Sequence, residues 1–274
     1  YNAAFGKDSL RSNTTASNNT AVGYLAGYSN TTASNITAIG KGALYANTTG
    51  VENTAVGVSS LSANSTGNYN VAVGYQSAAS ASTATNVVAI GHNSFVYNTT
   101  GSSNTAVGSQ AGYQNTTGGS NTYVGASAGN ANQTGNYNAA FGTTALVSNT
   151  GSSNTALGTG ALQANTTASN NTAVGYQAGY SNQTGGVNTF LGTRSGYSQA
   201  TDGSTFIGYQ AGYSASALIN TFVGYNSGYY VTSGAKNTIL GGYNGNQGGL
   251  DIRTASNYIV LSDGDGNPLI STNS

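Results

Sequence analysis

A five-residue signature, Asn-Thr-Ala-Val-Gly in its commonest form, recurs along the chain. It closes on Gly6, Gly23, Gly40, Gly57, Gly74, Gly91, Gly108, Gly125, Gly142, Gly158, Gly175, Gly192, Gly208, Gly224 and Gly241. Eleven of the fourteen intervals are 17 residues and three are 16. So short and constant a period marks a stacked array, in which each repeat buries its apolar side against the next. Parallel coils of this kind lie about 4.8 Å apart, so the fifteen repeats predict a rod on the order of 70 Å long.

The columns of the repeat are read with the closing Gly as position 0. Position −1 is always large and apolar, as in Val22, Ile39, Val107, Phe141 and Leu240. Position −3 is mostly Thr, with Ala3, Val71, Val88 and Ala139 in its place. Side chains two apart on a strand share a face, and the aliphatic column predicts that this face is the interior. The residue between them is Ala in most coils and becomes Phe190, Phe206, Phe222 and Ile239 later, with Tyr123 as an early exception. By the same alternation that column is expected outside, against another chain. Position +3 is small in fourteen of fifteen coils, which predicts a tight corner or a narrow core. Position +4 is Leu, Phe or Ala in some coils and Gly in others.

Asn stands at −4 in twelve coils, for example Asn19, Asn53, Asn104 and Asn171, and a second Asn column follows at +7, including Asn13, Asn30, Asn64 and Asn182. Asn bonds its own chain at turns and tolerates left-handed backbone, and stacked amides form ladders between coils. No stretch has a 3.6-residue apolar period, so helix is not expected. After Gly241 the rhythm breaks. Asn257 to Leu261 echo the signature, and Ser262-Asp263-Gly264-Asp265-Gly266-Asn267 reads as a hairpin turn. Residues 1–246 are therefore expected to form the solenoid array and 247–274 a β-hairpin cap or junction, which covers edges that a last coil would expose.

Composition narrows the function classes. Only 4% of the 274 residues are charged, against about 25% in ordinary domains, and no Lys, Arg, Asp or Glu occurs between Asn53 and Thr193. Such a chain has nothing to neutralise a phosphate backbone and no basic cluster for an acidic membrane, so neither nucleic acid nor membrane insertion is expected. There is no cysteine and no run of about 18 apolar residues.

Catalysis has few groups to work with. His92 is the single histidine, and Asp202, Asp251, Asp263 and Asp265 are scattered, so no catalytic residue, cofactor or metal site is assigned. Asp263, Asp265 and Asn267 alternate like the first ligands of a calcium loop, but the Glu that completes such a loop is missing and a turn is the better reading. Twelve Asn-x-Ser/Thr sequons occur, nine of them in the +7 column, where turn chemistry accounts for Asn without sugar. Tyrosines offer a binding surface. Tyr180, Tyr197, Tyr213 and Tyr229 recur at +5, and a ring with a polar tip suits a glycan or receptor.

The repeat, Asn-Thr-Ala-Val-Gly with a small residue three further on, resembles the head repeats of YadA-type trimeric autotransporter adhesins, and related arrays in bacteriophage tail fibres, over residues 1–246. The segment from Asn257 to Asn267 looks like those that end repeat regions in phage tail fibres. The resemblance implies an all-β chain, a left-handed parallel β-roll of about fifteen coils of 16–17 residues, three chains side by side, and adhesion to a surface. The coils here are a few residues longer than is usual for those heads. From residues and resemblance together, we expect a non-enzymatic, extracellular, homotrimeric fibre segment of a phage tail fibre or surface adhesin that mediates host or surface attachment. The alternative is a self-assembling extracellular filament, with sugar on some of its sequons.

Overall fold

The structure is a computed structural model that describes residues 1–273. It is all-β, with no helix among the described residues, and its contacts divide it into two units, Tyr1–Asn138 and Ala139–Ser274. In the first unit the strands are β1 (Ala3–Phe5), β2 (Thr20–Val22), β3 (Thr37–Ile39), β4 (Thr54–Val56), β5 (Val71–Val73), β6 (Val88–Ile90), β7 (Thr105–Val107) and β8 (Thr122–Val124). The second unit holds β9 (Ala139–Phe141), β10 (Thr155–Leu157), β11 (Thr172–Val174), β12 (Thr189–Leu191), β13 (Thr205–Ile207), β14 (Thr221–Val223) and β15 (Thr238–Leu240). Each signature is thus one short strand. Within each unit successive strands pair in parallel and in register, column on column, as in Thr105 on Thr122 and Phe206 on Phe222.

The ladder continues around the coil. Leu10, Ser12 and Thr14 donate their N–H groups to the carbonyls of Ala26, Tyr28 and Thr31 at 3.0–3.1 Å, while Gly23 donates to Phe5 at 2.8 Å. Between these runs the chain turns through left-handed residues at −5, +2 and +4, such as Asn18, Leu25 and Leu10, at φ of 60°, 58° and 48°. Such conformations cost about 1–3 kcal/mol each and persist only where the surroundings over-determine them; here the coils on either side do so. The closing Gly is required for two reasons. At Gly74 φ is +132°, and a Cβ would lie 2.5 Å from the carbonyl oxygen of Gly91 in the next coil.

The facing of the strand is the reverse of the expectation. The central residue points inward: Ala21, Ala106, Tyr123, Phe190, Phe206, Phe222 and Ile239 are all fully buried. Positions −1 and −3 point outward, and Val22, Ile39, Val73 and Ile90 are 36–39% exposed. Alternation correctly pairs −1 with −3 but does not say which face is inside. The deciding quantity is space, because a 17-residue coil has a narrow lumen that its other inward columns already fill.

Those columns exchange volume. Leu10, Leu44, Leu61, Phe95, Leu146 and Leu162 fill the lumen from +4 and face Ala at −2 in the same coil. Where −2 is Tyr123, Phe190, Phe206 or Phe222, position +4 is Gly129, Gly196, Gly212 or Gly228. A Cβ on Gly212 would lie 2.6 Å from the Phe206 ring. Four coils are small at both places, that of Ala72 and Ala78 among them, and the three with Gly at +4 borrow from their neighbours. Gly112 is covered by Phe95 and Tyr123, Gly179 by Leu162 and Phe190, and Gly27 by Leu10 and Ile36. Phe190, Phe206 and Phe222 stack at 5.9 and 5.0 Å between ring centres.

The −4 and +7 columns are mostly amides, with Ile36, Val87, Ala81, Ala215 and Val231 as apolar exceptions. At −4, Asn53 accepts the N–H of Asn70 in the next coil at 2.9 Å and donates its amide to the Gly67 carbonyl at 2.7 Å. At +7, Asn64 donates to that same carbonyl at 3.0 Å and to Asn47 Oδ1 at 2.8 Å. The arrangement recurs at Gly118, with Asn104 and Asn115 at 2.7 and 3.0 Å, and at Gly185, with Asn171 and Asn182 at 3.0 and 2.8 Å. The accepting residue at −7 is Gly or Ala in every coil that has one except that of Thr201. A Cβ on Gly118 would lie 2.5 Å from the Gly135 carbonyl oxygen.

After the last coil the chain makes β16 (Asn246–Gln247) and β17 (Leu250–Asp251), an antiparallel pair, then β18 (Tyr258–Ser262) and β19 (Pro268–Asn273). β18 joins β15 in parallel, with Ile259 on Thr238, and β19 folds back antiparallel on β18. Tyr243 is buried beneath this region. Its hydroxyl donates to the Leu250 carbonyl at 2.8 Å, and burial, with Asp251 nearby, pushes its phenol up to about 12.

Two substitutions test these columns. Gly212→Leu should be destabilising by about 1–3 kcal/mol and Phe206→Ala by about 3–5 kcal/mol. Combined, they recreate the Ala–Leu coil and should cost at least about 1 kcal/mol less than their sum in urea denaturation; strict additivity would refute the exchange. Second, the +7 ladder breaks at Ala81, leaving Asn64 Oδ1 buried without a partner. Ala81→Asn should extend it and raise stability by about 1 kcal/mol, read as a higher urea midpoint.

Candidate functional site

Three surfaces carry side chains not consumed by the core. The first is the outward face of the strands, with Thr at −3 and the aliphatic column at −1. Its −1 members, among them Phe141, Leu157, Leu191 and Leu240 at 40–45% exposure, form an unbroken apolar row in each unit. A contiguous row of this kind exceeds what scattered surface apolar residues amount to.

The second is the tyrosine column at +5. The structure brings Tyr180, Tyr197, Tyr213 and Tyr229 into one continuous stack, with ring centres 5.1, 5.0 and 5.0 Å apart and planes within 11°. The register of the coils does this, since it places one ring above the next at nearly the strand spacing. Each inner ring has both faces covered by its neighbours, so hydroxyls and ring edges are what the stack presents to solvent. Burial, with Tyr213, Tyr230 and Tyr209 close by, raises the Tyr229 phenol above its ordinary value. In the first unit Tyr28 stacks on Tyr45 at 5.2 Å, and Arg11 lies 5.6 Å over the Tyr28 ring.

The third is the ring column at +1. Tyr209 stacks on Tyr225 at 5.3 Å, and His92 lies on Tyr75 at 5.5 Å with planes 13° apart. His92 is exposed and serves as one more ring in that column.

Three of the four scattered carboxylates are engaged in local structure, and Asp265 is exposed on the last turn. Asp251 and Arg253 form a bidentate pair, with Nη2 to Oδ2 at 2.8 Å and Nε to Oδ1 at 3.0 Å, which holds the Asp251 carboxyl below its ordinary range. Asp263 closes the last hairpin. Its Oδ1 accepts the Asn267 N–H at 2.8 Å and its Oδ2 accepts the Asn267 amide at 3.1 Å, and these bonds likewise depress its pKa. Asp202 accepts the N–H of Gly186 at 2.7 Å. No group of three or more His, Cys, Asp or Glu suited to a metal ion occurs among the described residues.

Most sequons lie inside. Asn30, Asn47, Asn64, Asn98, Asn115, Asn132, Asn165 and Asn182 are fully buried, and Asn13 is half-buried with its amide on the Ala16 carbonyl at 3.1 Å. Sugar on any of these would break the ladder. Asn18, Asn35 and Asn170, at the left-handed −5 corner, are the exposed acceptors. No described helix is long and apolar enough to cross a membrane. No family model matches the chain, and comparison with curated proteins finds no significant relative.

The Asp263 turn makes a pH prediction. Its folded pKa is depressed, so its contribution is present above the unfolded carboxylate value of about 3.9 and is lost as pH falls through the lower folded value. Hydrogen-exchange protection of the Asn267 amide should therefore hold from pH 7 to 5 and fall below about pH 4. Asp263→Asn should weaken the protection at pH 7 and flatten this dependence.

Proposed function

We propose that the chain is a non-enzymatic structural and adhesive segment: a length of extracellular shaft of the phage tail-fibre or surface-adhesin kind, assembled as a homotrimer and presenting a surface for a cell-surface glycan or receptor. The outward apolar row at −1 carries this reading. Val, Ile, Leu or Phe occupies all fifteen positions, yet the coil does not bury them. Covering such a row releases roughly 25 cal/mol per Å² of apolar surface, and a second copy in the same register meets it position for position.

Closed rotation about an axis parallel to the coil stack hides one row per chain and leaves no open end for sideways growth. The number three follows the resemblance of the repeat to trimeric adhesin heads. The flanking Thr column supplies a polar margin to the apolar row, in the manner of a protein–protein interface. The coil also favours a passive role, because its polar groups are spent on holding one turn to the next.

Sedimentation equilibrium tests the assembly. A discrete species of three times 27.2 kDa is expected, whereas open-ended polymers would support the self-assembling filament and overturn the shaft. A pair of adjacent substitutions tests which face associates. Val107→Asp should leave the far-UV spectrum intact and give monomers, because Val107 faces outward. Ala106→Asp, one residue away and fully buried, should prevent folding. A Val107→Asp protein that remains trimeric would refute this interface.

A further inference from the structure

Exposed tyrosines outside the stacks include Tyr69 and Tyr137 at −5 and two at +6. Tyr97 and Tyr230 lie at +6, one residue beyond the stacked column, and are 48% and 51% exposed. Each meets a +5 tyrosine edge-on. Tyr97 and Tyr113 are 5.1 Å apart, Tyr230 and Tyr229 4.8 Å, both at 81° between planes. Neither has another ring stacked parallel on its face.

Each also borders a hollow. The one beside Tyr97 has a volume of about 390 Å³ and is lined by Ser80, Thr99, Gln114, Thr116 and Gln133. The one beside Tyr230 has a volume of about 350 Å³ and is lined by Ser214, Thr232, Asp251, Arg253 and Thr254. These volumes fall at the lower end of the range of small-molecule sites, about 300–1,000 Å³. The two hollows occupy the same place in the repeat. Each takes a Ser from +6 of one coil, then Tyr from +6 and Thr from +8 of the next. Their opposite walls differ, being amides in the first unit and the Asp251–Arg253 pair in the second. Tyr230 lines a further hollow of about 280 Å³ with Gln210, Asn226 and Asn244.

We propose that each unit carries a binding site for an uncharged saccharide, with the faces of Tyr97 and Tyr230 as its stacking platforms. This rests on the adhesive reading above and gives the ligand class that such a surface takes. A pyranose ring presents a patch of C–H groups and a rim of hydroxyls that both donate and accept. An aromatic face matches the patch. Ser, Thr and Gln match the rim, since each can donate and accept. The Asp251–Arg253 pair offers two acceptor oxygens and a guanidinium edge with no net charge, which suits neighbouring hydroxyls and gives a free anion no advantage. The +5 stack is a poorer platform, because its rings cover one another.

The full chain is titrated with uncharged hexasaccharides of β-1,4-glucose, α-1,4-glucose, β-1,4-N-acetylglucosamine and α-1,6-mannose, by calorimetry and saturation-transfer NMR. At least one should bind at two sites per chain, matching the two hollows. Tyr97→Ala and Tyr230→Ala should each remove one site, and together both. Arg253→Gln should weaken one site about tenfold, and Tyr197→Ala, in the stack, should spare both. Binding of none of the four sugars, or binding that survives the double substitution, overturns the proposal. Sedimentation of the same samples separates the two readings: a trimer that binds no sugar refutes the saccharide sites alone, and sugar bound to monomers or polymers refutes the trimeric shaft alone.

Discussion

The coil depends on a carbonyl that accepts twice. At Gly67, Gly118 and Gly185 the backbone oxygen takes one amide from the Asn three residues before it and another from the Asn fourteen before it. A carbonyl has two lone pairs and a buried one left unpaired costs about 1–3 kcal/mol, so both Asn columns and the small residue at −7 are tied to one atom. That node sits where no strand ladder reaches. It lets a lumen too narrow for a large apolar core be filled by amides. The ladder's gaps follow the same logic. Asn64 Oδ1 and Asn182 Oδ1 are unpartnered where Ala81 and Gln199 interrupt the +7 column, and Gln199 turns its amide to Thr201, Ser204 and Ala217 instead.

Apolar volume is then shared out one large side chain at a time. Leu or Phe at +4 excludes anything larger than Ala at −2, and an aromatic at −2 excludes anything but Gly at +4. The left-handed backbone at +4 makes Gly cheap there, yet Leu10, Leu44, Leu61, Leu146 and Leu162 hold the same conformation at φ of 47–51°. Packing, then, and not backbone preference, chooses between Leu and Gly from coil to coil.

The inward columns being occupied, what remains outside is unusually regular. The −1 row stays open because nothing in the coil covers it, and it is the surface on which the proposed association rests. The +5 and +1 rings stack on themselves through the coil spacing, so stacking by itself needs no ligand to explain it. The +6 tyrosines have no such partner. Like Tyr69 and Tyr137 they leave an aromatic face open, and each +6 ring borders a hollow.

Much of this was legible in the residues. The spacing of the closing glycines gives the coil count, the register and the parallel pairing, and the two Asn columns give the ladders, because each is a backbone requirement repeated at a fixed place; the left-handed corners lie instead at −5, +2 and +4, where residue types are mixed. The four +5 tyrosines follow from the same period. The facing of the strand was not legible from alternation and hydrophobicity. Val107 outranks Ala106 on any apolar scale, yet Ala106 is the buried one. A signal did exist, since no coil is large at both −2 and +4, and only columns that share a lumen need to avoid each other. The sequence by itself determined the period and the polar ladder. Only the tertiary structure decided which side is inside, because that depends on how much volume remains once the amides of the neighbouring coils are in place.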